Sequence, residues 1–261
     1  MKDFFSKLII FIMLLPLIPL MLWPFIASWR WPQLIPLFGD ARGFKHFFSA
    51  GSNSINILLF SILLSIIVTI ITLAIALPAA KAIAFYSFKG KNIIKTVILL
   101  PVIVPMVAVS MGIHVSFIYL GLANNCIGVI LIHLIPGLPY AVRILLNSFL
   151  LIGDDIATQG KNLGANSLQV LWYITLPLIM PGVIAASTMV YIISFSQYFI
   201  TFLIGGGRVV TFSMLMFPLI QRGERVLAST YSIVFLASIL LVVIVADKVI
   251  KGFFNDSNFL V

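Results

Sequence analysis

Residues 54–80, SINILLFSILLSIIVTIITLAIALPAA, form a continuous uncharged and largely apolar run that is long enough to cross a bilayer as a single helix. Further apolar runs follow along the 261 residues, and only 9% of the chain is charged. Soluble domains carry about 25% charged residues. Because the apolar runs do not alternate with polar residues, they indicate helices and not a β-barrel. The predicted fold class is therefore all-α integral membrane.

Six transmembrane helices are predicted from these runs. The first run is longer than the apolar region of a secretory signal and lacks an A-x-A cleavage site, so we interpret it as an uncleaved span. Trp29 and Trp31, which follow it, are expected at the outer membrane interface. The predicted spans are about residues 8–28, 54–80, 95–119 (broken by Pro101 and Pro105), 126–150, 182–204 and 229–247.

The distribution of basic residues predicts that both chain termini lie in the cytoplasm. With that orientation ten Lys and Arg residues lie inside and six lie outside, and the loop 81–91, KAIAFYSFKGK, contributes most clearly. The net charge of +9 therefore reflects membrane orientation, and no nucleic-acid partner is expected. Arg143 is predicted to be a topology anchor that extends to the interface. A single cysteine, Cys126, excludes an internal disulfide. We expect no metal site, no cofactor and no catalytic site.

A semi-polar segment at about residues 153–181 separates spans four and five, on the predicted cytoplasmic side. Asp154 or Asp155 is expected to cap a short helix over 155–163, and Gly164 to end it in a left-handed conformation. Asn166 or Ser167 is expected to cap a second helix, and Pro177 and Pro181 mark the entry into span five. The second helix is predicted to have one apolar face, formed by Leu168, Leu171, Trp172, Thr175 and Leu176.

This segment resembles the conserved cytoplasmic EAA loop of binding-protein-dependent ABC importer permeases. The similarity rests on Leu163-Gly164-Ala165 and on the sequence ITLP at 174–177, with supporting similarity at 85–105 and 133–152. The Glu of the family motif is absent, because Thr158-Gln159-Gly160 stands at the Glu-Ala-Ala position. Either a paired permease supplies the stronger ATPase contact, or the two Asp residues that precede the helix take over that role.

The resemblance implies a MetI-like permease fold in a prokaryotic plasma membrane, which is the inner membrane in Gram-negative cells. Residues 1–51 would form an N-terminal span and external segment, 52–250 the permease domain, and 251–261 a cytoplasmic tail. The implied partners are two ABC ATPase subunits, a second permease subunit and an external solute-binding protein. ATP hydrolysis is expected in a separate subunit, since the chain has no P-loop motif. The residues expected to contact the ATPase are Thr158, Gln159, Gly160, Leu163, Gly164, Ala165 and Ser167.

Span five is the most polar span, and in this family it helps to line the translocation path. Helical spacing places Ser187 with Tyr191, and Ser194 with Gln197, on shared faces. Together with His133 of span four, these residues are candidates for the path. Hydrogen bonding between helices is the other interpretation, and the sequence does not decide between the two.

The transported solute is expected to be small, with thiamine-, polyamine- or iron-type substrates as the candidates. The sequence TFLIGGGR at 201–208 is similar to the thiamine and iron branch, whereas the absence of acidic residues near Gln197 weakens a polyamine. A stand-alone secondary transporter is the alternative, but it would need intramembrane ionisable residues and inverted repeats. An intramembrane enzyme would need a catalytic dyad within the spans, and His133 has no partner for one at helical spacing.

Overall fold

Helices make up most of the structure, a computed structural model that describes residues 2–29, 32–39 and 41–255. The N-terminal elements are α1 (Lys2–Leu14), α2 (Leu17–Leu22), a 3₁₀ turn (Trp23–Phe25), strands β1 (Ile26–Ser28) and β2 (Leu37–Phe38), α3 (Arg42–Phe48) and a 3₁₀ turn (Ala50–Ser52). The remaining elements are α4 (Ser54–Phe85), α5 (Lys91–Ile103), α6 (Met106–Tyr119), α7 (Cys126–Ile152), α8 (Asp155–Asn162), α9 (Ser167–Gln169), a π-helical turn (Val170–Thr175), α10 (Leu176–Ser196), α11 (Phe199–Gly205), α12 (Phe212–Gln221) and α13 (Arg225–Asn255).

Four helical stretches among the described residues are each long and apolar enough to cross a bilayer: Ser54–Phe85, Cys126–Ile152, Ser167–Ser196 and Arg225–Val249. Two bent helix pairs, α1 with α2 and α5 with α6, raise the number to six when each pair is counted as one crossing. The chain is therefore an all-α, multi-pass membrane protein, as the sequence predicts.

Several helices begin or end at residues other than those predicted for the spans, and prolines bend two of the predicted spans. The first span bends by 43° near Pro16, which lacks the N–H that a continuous helix needs. The break predicted in span three is present and bends the chain by 104° between α5 and α6. The helical run that contains most of the predicted span 182–204 begins earlier, at Ser167, and ends at Ser196, and the residues after Gln197 form the separate helix α11. Trp31 lies outside the described residues.

Contacts divide the chain into two compact units, and the first comprises residues 1–60 and 211–240. Its core is aromatic: the rings of Phe212 and Tyr231 stack at a centroid distance of 5.6 Å, and the ring of Phe47 meets both of them edge-on. The Tyr231 hydroxyl lies 2.6 Å from the hydroxyl of Ser54, at the start of α4. The antiparallel pairing of β1 with β2 also belongs to this unit.

The second unit, residues 61–210 and 241–261, is built on the packing of α7 against α10. Glycines allow this close approach. A Cβ on Gly137 would lie 3.2 Å from Val190 Cγ1, and one on Gly182 would overlap the side chain of Ser148. The candidate functional residues all lie in this unit.

Candidate functional site

The segment between α7 and α10, residues 153–181, folds as a tightly capped hairpin. We call it the coupling segment. Helix α8 ends in a Schellman motif, in which the Ala165 N–H donates to the Gly160 carbonyl at 3.1 Å and the Gly164 N–H to that of Lys161 at 2.9 Å. Gly164 has a φ of +91°, as the sequence predicts, which strains any other L-residue.

The second arm of the coupling segment begins with a complete capping box. The Gln169 N–H donates to Asn166 Oδ1 at 2.9 Å, and the Asn166 N–H donates to Gln169 Oε1 at 2.8 Å. Of the two predicted caps, Asn166 is therefore the one used. At the first arm Asp154 occupies the N-cap position, but its side chain makes no capping hydrogen bond. The Schellman motif and the capping box therefore fix the two sides of the turn at Gly164.

The apolar face predicted for the second arm is formed in part: Thr175 is buried, and Leu171 and Leu176 are half-buried. Leu168 and Trp172 are 68% and 54% exposed, whereas the unpredicted Val170 is 1% exposed and Ile174 packs against Gly160. The exposure of Trp172 fits the π-helical turn over Val170–Thr175, because this wider turn rotates side chains away from the 3.6-residue register used for the prediction. Leu168 precedes that turn, and its exposure has no such explanation. The arm then continues without interruption into α10.

Most of the residues predicted to contact an ATPase lie on the surface of this chain. Thr158, Gln159, Gly164 and Ser167 are exposed, and Leu163 is 89% exposed at the tip. Gly160 differs, because it is buried between the two arms, where a Cβ would lie 2.5 Å from Ile174 Cδ1. Gly160 therefore packs the two arms together and is not accessible to a partner. The exposed residues form the surface that a partner could contact.

A second feature is a cleft of about 420 Å³ between two interrupted helices, which we call the proline cleft. On one side lies the break between α5 and α6, and on the other side lie Ser196 and Gln197, where α10 ends before α11 begins. The side of α7 contributes Pro136 and Tyr140. Tyr140 and Ser196 were not predicted as site residues. In the sequence, the pair Pro101 and Pro105 indicates this cleft, because it predicts the break between α5 and α6.

The predicted path residues divide between the proline cleft and the helix packing. Gln197 is in the extended conformation at the C-cap of α10, so it does not share a helical face with Ser194, as the spacing had predicted. Gln197 lines the cleft, whereas Ser194 is only 2% exposed. The Ser187 hydroxyl donates to the carbonyl of Ile184 in its own helix. Tyr191 is 3% exposed and stacks on Phe195.

His133 joins four helices through a buried polar cluster. Its Nδ1 lies 3.0 Å from Ser194 Oγ of α10, and its Nε2 lies 2.9 Å from Thr201 Oγ1 of α11. Ser194 in turn donates to Ser65 Oγ of α4 at 3.4 Å. With 1% of its surface exposed, His133 has the geometry expected of hydrogen bonding between helices, the other of the two interpretations left open by the sequence.

Comparisons with known proteins agree with this architecture. Residues 72–254 match the family described as binding-protein-dependent transport system inner membrane component. A probable ABC transporter permease of Pyrococcus horikoshii is 27% identical over 140 residues, which cover 54% of this chain and 51% of the relative. A molybdate/tungstate transport system permease of Methanocaldococcus jannaschii is 28% identical over 124 residues, covering 44% of this chain and 49% of the relative.

A longer alignment exists with a spermidine/putrescine transport system permease of Haemophilus influenzae. It is 22% identical over 231 residues, which cover 88% of this chain and 83% of the relative. With the relatives from Pyrococcus horikoshii and Methanocaldococcus jannaschii, by contrast, the chain spans about half of the relative's length. The family match includes the coupling segment and every residue that lines the proline cleft.

Proposed function

This chain belongs to the family of binding-protein-dependent transport system inner membrane components, and on that premise we propose that it is the permease subunit of an ATP-driven ABC importer. In this role it lies in the plasma membrane of a prokaryote and forms part of the path for a small solute. The observation that carries the proposal is the coupling segment within the matched region, where a capped turn holds exposed residues at its tip.

We propose that the coupling segment transmits the motion of an ABC ATPase subunit to the membrane helices. The turn is fixed by the Schellman motif and the capping box, and the second arm is continuous with α10. A force on the tip at Leu163 therefore acts on a helix that reaches Gln197 of the proline cleft without a break in helical structure. A projecting helical element of this kind fits a groove on a soluble partner. Hydrolysis of ATP would occur in that partner, because the family is one of transport permeases.

The proline cleft is the proposed part of the translocation path. Interrupted helices line binding and transport sites in membrane proteins because their free backbone groups can meet a polar solute. The lining residues described include Gln197, Ser196 and Tyr140 and no Asp, Glu, Lys or Arg. A cleft without charges does not select its solute by charge, so we propose that an external binding protein provides the selectivity. A second permease subunit, identical or homologous, would complete the path.

The substrate class is proposed only as far as the relatives and the sequence support it. The relatives are named for molybdate/tungstate and for spermidine/putrescine, and the sequence adds thiamine- and iron-type solutes. Uptake assays with molybdate, spermidine, thiamine and ferric ion would test these alternatives one by one. The stand-alone secondary transporter is disfavoured, because the family match is to a binding-protein-dependent system.

A crosslinking experiment tests the ATPase contact directly. In a background with Cys126 replaced by Ala, Leu163→Cys would be crosslinked in native membranes and compared with Tyr119→Cys. The two positions are almost equally exposed, at 89% and 87%. We expect Leu163→Cys, and not the control, to give an adduct whose partner contains the motif G-x-x-x-x-G-K-[ST] by mass spectrometry. Adducts of equal yield from both positions, or none from Leu163→Cys, would contradict the proposed contact.

A further inference from the structure

A second cleft, of about 180 Å³, lies between α4, α5 and α7 and differs in character from the proline cleft. Two basic side chains, Lys95 of α5 and Arg143 of α7, line it together with the amide of Asn147. The other walls are hydrocarbon and include Ile83, Leu99 and Leu146. No Asp or Glu is among the described residues that line the cleft. We call it the basic cleft.

The position of Arg143 makes an anionic partner energetically favourable. Arg143 lies nine residues before the end of α7 at Ile152, which corresponds to about 14 Å along the helix axis. A guanidinium at that distance from the helix end must reach the interface or meet a negative charge, because an unpaired cation inside a membrane is costly. Lys95, on the neighbouring helix, lines the same cleft and increases its positive potential.

From these observations we propose that the basic cleft binds the headgroup of an acidic glycerophospholipid. The phosphate would lie between Lys95 and Arg143, the Asn147 amide would donate to it, and an acyl chain would lie against the hydrocarbon walls. Basic pockets between transmembrane helices on the cytoplasmic side are suited to anionic headgroups. A free oxyanion carries the same charge but gains nothing from Ile83, Leu99 and Leu146, so the walls favour a lipid.

The prediction from the sequence that Arg143 is a topology anchor is compatible with this site, since an anchor also has to find anionic partners. The proposal adds a defined pocket and a defined ligand class. It requires neither the ATPase partner nor the path proposed above, and its test can therefore fail or succeed independently of the transport function.

Native mass spectrometry of the full-length chain in detergent provides the test. The probes are phosphatidylglycerol and phosphatidylcholine with identical acyl chains. Lys95→Gln/Arg143→Gln removes two charges from the basic cleft, and Lys89→Gln/Lys248→Gln removes two exposed charges that do not line it. We expect the cleft variant to bind phosphatidylglycerol about 25-fold more weakly, since each of the two basic residues contributes roughly a factor of five. The control variant should change by less than about twofold.

Two further measurements test whether charge, and not folding, explains the loss of binding, and whether the ligand is a lipid. Arg143→Lys conserves the charge and should retain most of the binding, which separates loss of charge from loss of fold. Millimolar inorganic phosphate or molybdate should not displace the lipid from the wild-type chain. Equal binding of phosphatidylglycerol by the wild type and the cleft variant would overturn the proposal. So would equal affinity for the two lipids, or displacement by either free oxyanion, which would instead identify an oxyanion site.

Discussion

Gly160 and Ile174 hold the two arms of the coupling segment together. Gly160 is buried, and a Cβ at its position would lie 2.5 Å from Ile174 Cδ1, in the π-helical turn. Gly160 has no side chain, and this leaves space between the two arms. The wider π turn directs the side chain of Ile174 into that space.

Replacing Gly160 should separate the arms in proportion to the size of the new side chain. Gly160→Ala requires only a rotation of the flexible Ile174 side chain and should cost little. Gly160→Val should lower stability by about 1–3 kcal/mol, the usual cost of overpacking. Thermal unfolding of the purified chain in detergent measures the difference. Ile174→Ala should restore stability in the Gly160→Val background, and a double variant no more stable than Gly160→Val would show that the contact is not the cause.

Gly164 should tolerate Asn but not Val. Its φ of +91° lies in the left-handed region, where Asn is accepted and a β-branched residue costs at least about 1–2 kcal/mol. Under the proposed coupling role, Gly164→Val should weaken association with the ATPase subunit, and Gly164→Asn should leave it close to wild type. Co-purification of the ATPase with the tagged permease measures the association. Normal association and normal uptake in Gly164→Val would exclude a docking role for this turn.

In the coupling segment, the sequence predicts those features that are determined by neighbouring residues. The left-handed Gly164 was predicted correctly, and Asn166 was one of the two predicted caps, because a left-handed turn and an N-cap are specified by the residues that form them. The apolar face was predicted only in part, because the π turn at Val170–Thr175 has no local sequence marker and its wider turn rotates Trp172 out of the predicted face. The helix of span five begins before its predicted start, because Pro177 and Pro181 lie within the continuous helical run Ser167–Ser196 and do not mark its beginning.

The residues predicted for the translocation path also depend on contacts between helices that the sequence does not reveal. Helical spacing placed Ser194 beside Gln197, but α10 ends at Ser196, and the two residues consequently occupy different environments. Beyond this helix end, the Thr201 hydroxyl donates to the Gln197 carbonyl at 2.8 Å and lies 2.9 Å from Nε2 of His133 on α7. Nothing in the spacing of span five contains that information.

Gln197→Leu should reduce uptake without reducing assembly. The residue lines the proline cleft, and an apolar replacement removes a polar group from the proposed path while keeping a similar volume. We expect a decrease in uptake of about tenfold, the effect of removing one to two hydrogen bonds. The assay uses whichever of molybdate, spermidine, thiamine or ferric ion the wild-type complex transports. Ser187→Ala is the matched control, because the Ser187 hydroxyl is used within its own helix. Unchanged uptake in Gln197→Leu would assign this residue to packing.

His133→Leu should affect stability more than transport. Its two ring contacts, with Ser194 and Thr201, join separate helices, and each such bond in a membrane contributes about 0.6 kcal/mol. The expected loss is therefore about 1 kcal/mol in the free energy of unfolding, accompanied by normal uptake per assembled complex. Ser194→Ala should cost about as much, since it removes one of the His133 contacts and also the hydrogen bond to Ser65. A normal melting temperature together with impaired uptake would return His133 to the translocation path.

The orientation of the chain can be tested with two cysteines of equal accessibility on opposite predicted sides. Leu34 is 88% exposed in the predicted external segment, and Leu163 is 89% exposed at the tip of the coupling segment. With Cys126 replaced by Ala, a membrane-impermeant maleimide should label Leu34→Cys in intact spheroplasts and label Leu163→Cys only after permeabilisation. Because the intrinsic exposures match, a difference in labelling reports the side of the membrane and not local burial. Labelling of Leu163→Cys in intact spheroplasts would place the coupling segment outside, away from any cytoplasmic ATPase, and would contradict the importer mechanism at its first step.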